Sequence, residues 1–422
     1  MLYLTATGRN DWASQIAGSP SKSFFYPSVG LSWVPSSTWD LGNAFSYLKL
    51  RGSIASVGLP FPRFLTTPTY EYDATGKIWK DKTHYPIGDL KPERTITYEV
   101  GIDARLWKNI SLSASWYSAD TKNQTFDPAL PPSSSYTTIY LQTGHVRNTG
   151  VELSLGYSNQ WRDFGWSSNF TFSWNKNEIV DLASGALNPV TGQPLNLSEL
   201  DIKGLGKAKY ILKQGGTLGD LYTTSDLKFN DNGYVEVDKA GNLLLTDEGE
   251  QIYLGSVFPS ENLAWRNDFR YKGINLGLLF TGRIGGICYS ATQANMDLYG
   301  VSEVSAAARD AGGVLINGRE MVDAQKWYQA IGSQSGLPQY YTYSATNFRL
   351  QELSLGYTLP RKWFRNKMVL TVSFVGRNLW MIYCKAPFDP EAVASTGLSY
   401  QGIDYFMMPS LRSLGFNVKF EF

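Results

Sequence analysis

His84 and His145 are the only imidazoles in a chain of 422 residues. Acid–base or nucleophilic chemistry near neutral pH would be sought around them first. Neither is surrounded by the Ser and Asp of a hydrolytic triad or by ligands at metal-binding spacing. Gly282-Arg-Ile-Gly-Gly286 has the glycine content of a phosphate cradle, but it closes an alternating segment and no helix is expected after it. Asp247 and Glu248 are paired acids in a turn-rich stretch, so they read as solvated. Phe229–Leu243 offers many oxygen ligands at a spacing unlike an EF-hand loop; its Asn-Gly and Ala-Gly-Asn turns fit a small hairpin better. Cys288 and Cys384 lie far apart in sequence and either pair or remain two thiols. No catalytic residue, metal ligand or cofactor site is expected.

The chemistry that remains is recognition. Tyrosines cluster as Tyr70/Tyr72, Tyr136/Tyr140, Tyr340-Tyr341-Thr-Tyr343 and Tyr400/Tyr405. A phenol ring can lie on the apolar face of a sugar and hydrogen-bond through its hydroxyl; it serves equally well in loop packing or at a membrane interface. The chain carries 14% aromatic and only 18% charged residues, with 40 glycines and a net charge of +1. That balance gives no footprint for nucleic acid. Mean hydropathy is −0.24, and no apolar run approaches the roughly 20 residues of a membrane helix.

What positions these residues is a repeated two-residue alternation, the signature of strands. Leu414, Phe416, Val418, Phe420 and Phe422 oppose Ser413, Gly415, Asn417, Lys419 and Glu421. Ile96, Tyr98, Val100, Ile102, Ala104 and Leu106 oppose Thr95, Thr97, Glu99, Gly101, Asp103 and Arg105. Twelve such strands are expected, near 1–8, 24–35, 45–57, 94–107, 109–120, 145–157, 165–177, 261–271, 273–286, 345–358, 367–380 and 411–422. Trp166 and Trp174 share a face eight positions apart. On a strand tilted by roughly 40° that is about 20 Å along a membrane normal, close to the separation of two aromatic girdles.

Connections after even strands are short (36–44, Lys108, 158–164, Lys272, 359–366), and those after odd strands are long (9–23, 58–93, 121–144, 178–260, 287–344, 381–410). All long loops then share one rim, as in an up-and-down barrel of the bacterial outer membrane. The expected fold is all-β: an antiparallel transmembrane β-barrel with long extracellular loops and a periplasmic C-terminus. The apolar faces meet lipid, while Lys49, Arg51, Glu99, Asp103, Arg105, Glu152 and Arg377 face a wet lumen of mixed charge. Loops 178–260 and 287–344 are the longest; 301–310 and 320–328 in the second read as short helices. Met1–Gly8 has no basic n-region and already alternates like a strand. It either closes a twelve-stranded barrel against the last strand or follows further strands upstream.

Several stretches resemble the SusC/RagA-type TonB-dependent transporters of Bacteroidetes outer membranes. They are Leu2-Tyr-Leu-Thr-Ala-Thr-Gly-Arg-Asn-Asp-Trp12, Phe24-Phe-Tyr-Pro-Ser-Val-Gly-Leu-Ser-Trp33 and Leu90-Lys-Pro-Glu-Arg-Thr-Ile-Thr-Tyr-Glu-Val-Gly-Ile-Asp103. Val146-Arg-Asn-Thr-Gly-Val-Glu-Leu153, Leu353-Ser-Leu-Gly-Tyr-Thr-Leu-Pro360, Gly376-Arg-Asn-Leu-Trp380 and Phe388-Asp-Pro-Glu391 follow in the family's order. The resemblance is to the C-terminal half and implies about the last twelve strands of a 22-stranded barrel. It places the N-terminal barrel half, the plug and the TonB-contacting segment outside residues 1–422 and favours upstream strands over self-closure. It implies active import of large nutrients, glycan oligosaccharides or peptides, without covalent chemistry. The implied partners are a SusD-like surface lipoprotein, the TonB complex acting through the plug, the lipid and lipopolysaccharide of the outer membrane, and a second transporter–lipoprotein pair. For Phe422 it implies reading by the barrel-assembly machinery, beside plain interfacial anchoring. A passive porin and a secreted or surface polysaccharide-binding β-protein are the competing readings, and the cargo is not identified by these residues.

Overall fold

The computed structural model describes residues 1–16, 23–60, 71–80, 84–85, 91–126, 138–183, 193, 197–247, 249–395, 397 and 400–422. Twelve strands form one antiparallel sheet in strict chain order. They are β1 (Leu2–Asp11), β2 (Phe24–Trp33), β3 (Phe45–Leu59), β4 (Glu93–Leu106), β5 (Ile110–Phe126) and β6 (Leu141–Trp161). The second half is β7 (Phe164–Asp181), β8 (Glu261–Tyr271), β9 (Ile274–Ile284), β10 (Asn347–Thr358), β11 (Val369–Cys384) and β12 (Ser413–Glu421). All twelve expected strands are present. β1 and β12 end the sheet and are not paired with each other, so the described residues form an open section of barrel wall and not a self-closed barrel.

The register carries each face across the wall. Leu2, Trp33, Leu50, Ile102, Ala114, Leu153, Phe172 and Leu263 stand opposite one another in one continuous apolar row. Turns at the short rim are tight: Arg162 and Lys272 take positive φ of 52° and 46°, the twist that joins adjacent strands in two residues. Aromatic rings gather at this rim. Trp166 stacks on Phe269 with centroids 6.2 Å apart and lies 5.1 Å from Tyr157. At the other end of the apolar band Trp116 and Trp174 share a row with Glu261. One row beyond that lie Lys176 and Ser118, then Asp120, Arg147 and Glu178.

β5, β6 and β7 are 17, 21 and 18 residues long, longer than expected from alternation. The outward face turns charged above the Trp116–Trp174 row, which breaks the apolar pattern, while the backbone ladder continues past the membrane. There Arg147 and Lys176 pair with Asp120 and Glu178 at 2.9 and 2.8 Å.

Tyr117 of β5 lies across Gly150 of β6 and donates to Asn175 Oδ1 of β7 at 3.1 Å, strapping three strands on the inner face. A Cβ at residue 150 would meet the Tyr117 ring at 2.5 Å and the Trp174 carbonyl at 2.7 Å. Gly150→Val is therefore expected to displace Tyr117 and cost about 1–3 kcal/mol, read from urea unfolding of the folded barrel.

The packed hydrophobic core lies in the long loops. Leu182, Leu200, Tyr210, Leu212, Leu221, Leu227, Tyr289, Ile331, Leu337, Tyr341 and Ile403 belong to one buried cluster that joins three loops. Around it sit a four-stranded sheet (Glu199–Leu205, Ala208–Lys213, Asp220–Thr223, Ile252–Ser256) and three helices, α1 (Ala291–Leu298), α2 (Glu303–Asp310) and α3 (Ala324–Ile331). The last outer loop threads back into this body: Ile403–Asp404 pairs parallel to Tyr289–Ser290.

Several loop expectations are corrected. α1 follows the glycine-rich stretch after the short strand Ile287–Ser290, capped by Ser290, where no helix was expected. Glu320–Val322 is a strand against Val314–Ile316, and α3 starts only after Asp323, whose side chain accepts from Gln325 and Lys326 N–H. The 229–243 stretch has both expected turns, but a third strand closes it. Lys228 N donates to Leu244 O, Leu244 N to Glu236 O and Glu236 N to Lys228 O, a triangle of 2.8, 3.0 and 2.9 Å. The cause is an eight-residue repeat: Asp226–Gly233, Tyr234–Gly241 and Asn242–Gly249 each read apolar-X-apolar followed by a glycine turn.

Candidate functional site

Two surfaces of the molecule can meet a ligand: the inner face of the wall and the body of outer loops above it. On the inner face, register places Lys49 opposite Asp103 and Ser53 opposite Glu99, because alternate residues of paired strands share a face. Arg51 pairs with Glu99 and lies 3.8 Å from Asp103; Lys49 Nζ is 3.9 Å from Asp103. Arg105 stands on the same face opposite Ser111. Arg51 and Glu152 line one cleft of about 340 Å³ with Ser113, Ser115, Thr171, Ser173 and Asn262. Arg377 donates to Glu352 at 3.0 Å, and Arg266 reaches the same carboxylate at 3.5 Å and Asp268 at 2.9 Å. Lys49, Arg51, Glu99, Asp103, Arg105, Glu152 and Arg377 lie on the polar face of the wall, and Lys49, Arg51, Glu99, Asp103 and Arg377 are ion-paired there. Alternation alone missed Arg266, Asp268 and Glu352 as members of it, although their parity with neighbouring strands carries the signal. Surface pairs of this kind stabilise by about 0–1 kcal/mol each, so they serve the lumen's polarity more than its stability.

The tyrosines do not converge on one platform. Tyr70 and Tyr136 lie outside the described residues, as does Glu248. Tyr72 is exposed and packs on Trp79 at 5.2 Å in a small hairpin, and Tyr140 is half-buried beside β6. Tyr341 is only 2% exposed and packs in the loop core, which corrects the expectation that it offers a ring to solvent. Tyr343 donates to Gln293 Oε1 at 2.7 Å and meets Phe388 edge-on at 5.8 Å. Tyr340 stands edge-on to Trp327 at 6.1 Å, its hydroxyl pushed up to about 12 by burial and by Asp226. Tyr400 and Tyr405 are exposed, Tyr405 against Phe406.

The remaining chemical candidates are structural. His145 Nε2 lies 2.8 Å from Asp120 beside Arg147, and His84 belongs to a two-residue strand paired with Thr138–Ile139. In the triangular repeat, Asn230 and Asp238 side-chain oxygens accept backbone N–H groups of their own turns. The N–H of Asn242 chiefly holds the Asp238 carboxyl below its usual range. Among the described residues, no group of three acidic, His or Cys side chains could hold a metal ion. Cys288 and Cys384 are free thiols; burial pushes Cys288 up to about 12.

One buried ion cluster ties the loops to the wall. Arg349, at the outer end of β10, is 2% exposed. Its guanidinium binds Asp389 at 3.0 and 3.3 Å, Glu391 at 3.1 Å and Asn347 Oδ1 at 3.1 and 3.2 Å. Burial alone would raise the Asp389 carboxyl. Hydrogen bonds from Arg349, Ser410 and the Glu391 N–H outweigh it and hold the group below the usual carboxylate range.

An antiparallel wall with one apolar and one polar face, tight turns on one rim and a packed loop body on the other, defines a section of a transmembrane β-barrel. A family profile described as "TonB dependent receptor-like, beta-barrel" matches residues 1–256, and the chain belongs to that family. It is a family of outer-membrane receptors and transporters, not of enzymes. TonB-dependent receptor P3 of Formosa agariphila is 24% identical over 99% of this chain and 44% of that protein. TonB-dependent receptor SusC of Bacteroides thetaiotaomicron is 20% identical over 79% of this chain and 32% of its own length. The solved RagAB peptide importer in its closed-closed state superposes with a TM-score of 0.72 at 20% identity, over 99% of this chain and 45% of that one. The chain thus spans less than half the length of these relatives, and the likeness in structure is one of fold.

Proposed function

We propose that residues 1–422 are the C-terminal part of an outer-membrane active importer of large nutrients, glycan oligosaccharides or peptides. The observation that carries this reading is the pairing of a polar inner wall of mixed charge with a packed outer body built from three loops. A passive pore needs no packed loop core of this extent. Backbone groups in hydrocarbon must be paired, so β1 and β12 require neighbouring strands from outside the described wall. The rest of the barrel, a plug and a TonB-contacting segment would supply closure, gating and energy.

Loops 178–260 and 287–344 would carry a SusD-like lipoprotein as a lid. Tyr299, Val301, Val304, Leu315 and Met321 are exposed on the second of these loops, apolar surface of the kind that marks a protein contact. Two transporter–lipoprotein pairs would then assemble side by side. The test is native mass spectrometry of the complex extracted from outer membranes in mild detergent through a tag on this chain. Recovery with further barrel strands and a lipoprotein is expected. Recovery of the 422 residues alone, with pore conductance in planar bilayers, would overturn the importer.

A further inference from the structure

The C-terminus of α1, the following Tyr299-Gly300, α2 and α3 enclose a cleft of about 210 Å³ in the outer loop body. Its lining is Asp297, Leu298, Tyr299, Gly300, Arg309, Ala324, Gln325 and Tyr328, of which the polar and aromatic members matter. That volume equals about seven waters in the liquid and falls below the roughly 300 Å³ at which drug-sized pockets begin. It has room for one small functional group with its immediate scaffold.

Asp297 is 3% exposed. Its carboxylate accepts from the Ser302 hydroxyl, which also caps α2. Among the described residues no cationic side chain forms an ion pair with it. The amino end of α2 offsets part of its charge, but a buried carboxylate without a cation is costly and retains acceptor positions. Two further groups sense this negative charge. Tyr341, 2% exposed, makes no hydrogen bond of normal geometry through its hydroxyl, and burial together with Asp297 pushes that hydroxyl up. Tyr328 lines the cleft and is raised by the same two causes. Tyr299, 76% exposed, stands at the rim.

We propose that this cleft binds a primary ammonium group, with Asp297 as counter-ion. An ammonium brings three N–H donors and no acceptor, matching a carboxylate and phenol oxygens. The faces of Tyr299 and Tyr328 add cation–π attraction. Arg309 donates to Gly300 O at 2.7 Å and holds a positive charge at the mouth. It disfavours polycations and selects one amine on a neutral or acidic scaffold. Peptide amino termini and amino sugars share that chemistry. The inference deepens the importer reading by naming a cargo feature, and it rests on the outward placement of the loops.

The test is calorimetric titration of the intact, detergent-solubilised transporter complex at slightly acid pH. The probes are glucosamine and triglycine, which carry one amine each, each against its N-acetylated counterpart. The free amines are expected to bind at least tenfold more tightly than the acetylated forms. Preference for one free amine over the other identifies the source as amino sugar or peptide. Asp297→Asn is expected to abolish the difference. Because that change also touches the α2 cap, Gln325→Trp, an exposed lining position, should block binding with an unchanged melting temperature. Equal binding of free and acetylated probes, binding of neither, or undiminished binding by Gln325→Trp would overturn the cleft. None of those results touches the importer reading, which stands or falls on the composition of the complex.

Discussion

Arg349→Met is expected to cost about 3–5 kcal/mol, the penalty for removing one partner of a buried ion cluster and stranding the others. Asp389 keeps only 10% of its side chain exposed and loses both guanidinium hydrogen bonds. The effect should be local in its readout. Residues 385–412 are tied to the wall through Asp389 and Glu391 to Arg349, with Arg283 3.5 Å from Glu391, and to the loop body through the Ile403–Asp404 pairing with Tyr289–Ser290 and the hydrogen bonds Tyr210 to Gln401 O and Phe406 N to Thr292. With the first tie gone, limited proteolysis of intact cells should cut within this loop at protease levels that spare the parent, while the barrel resists. Replacing Arg349 and both carboxylates with apolar residues should recover most of the loss, since a buried ion network against apolar packing is close to neutral. The pH dependence has a definite sign. The Asp389 carboxyl is held below its ordinary value, so its contribution is present above the unfolded value of about 3.9 and fades as pH falls through the lower folded value. Equal protease resistance of Arg349→Met and parent from neutral pH down to about 5 would remove the cluster's role as a latch.

The wall was legible in the sequence and the loop body was not, for a physical reason. A membrane strand has a different solvent on each face, so every second residue reports its surroundings, as in Thr171–Phe172–Ser173–Trp174. The signal failed where that contrast ends: β6 continues up through Arg147 and His145 into the loops, where both faces meet water or protein. In the loop body, partners are distant in sequence. Nothing near Ile403 announces that it will pair beside Tyr289, and nothing near Phe388-Asp-Pro-Glu391 points to Arg349. α1 escaped notice because Thr292, Asn295 and Asp297 dilute its apolar stripe to Ala291 and Ala294. Tyr341 misled because a phenol reads alike whether its ring is buried or offered to a ligand. The eight-residue repeat is carried by glycines 233, 241 and 249, but the oxygen-rich turn residues between them give the same stretch the composition of a metal loop.

Phe170→Arg and Thr171→Arg, one residue apart, should separate the two faces of the wall more sharply than any loop variant. Phe170 stands in a row with Leu155 and Trp265, midway between Trp166 and Trp174. Thr171 stands in the next row with Ser154 and Ala264 and lines the inner cleft. An arginine at the mid-depth of the lipid face costs about 2–4 kcal/mol, whereas a change on a wet face is usually within about 0.5 kcal/mol. Phe170→Arg should therefore lower the urea midpoint of the folded barrel and reduce its yield in the outer membrane, and Thr171→Arg should do neither. The contrast bears directly on the competing placements of this sheet. In a water-soluble β-protein both faces of an open wall would tolerate the charge, or the apolar face would pack on a second sheet and exclude detergent. In a membrane barrel the penalty depends on depth: Trp174→Arg, one girdle higher and beside Glu261, should cost clearly less than Phe170→Arg. A flat response across 166, 170 and 174 would mean that no bilayer covers this face.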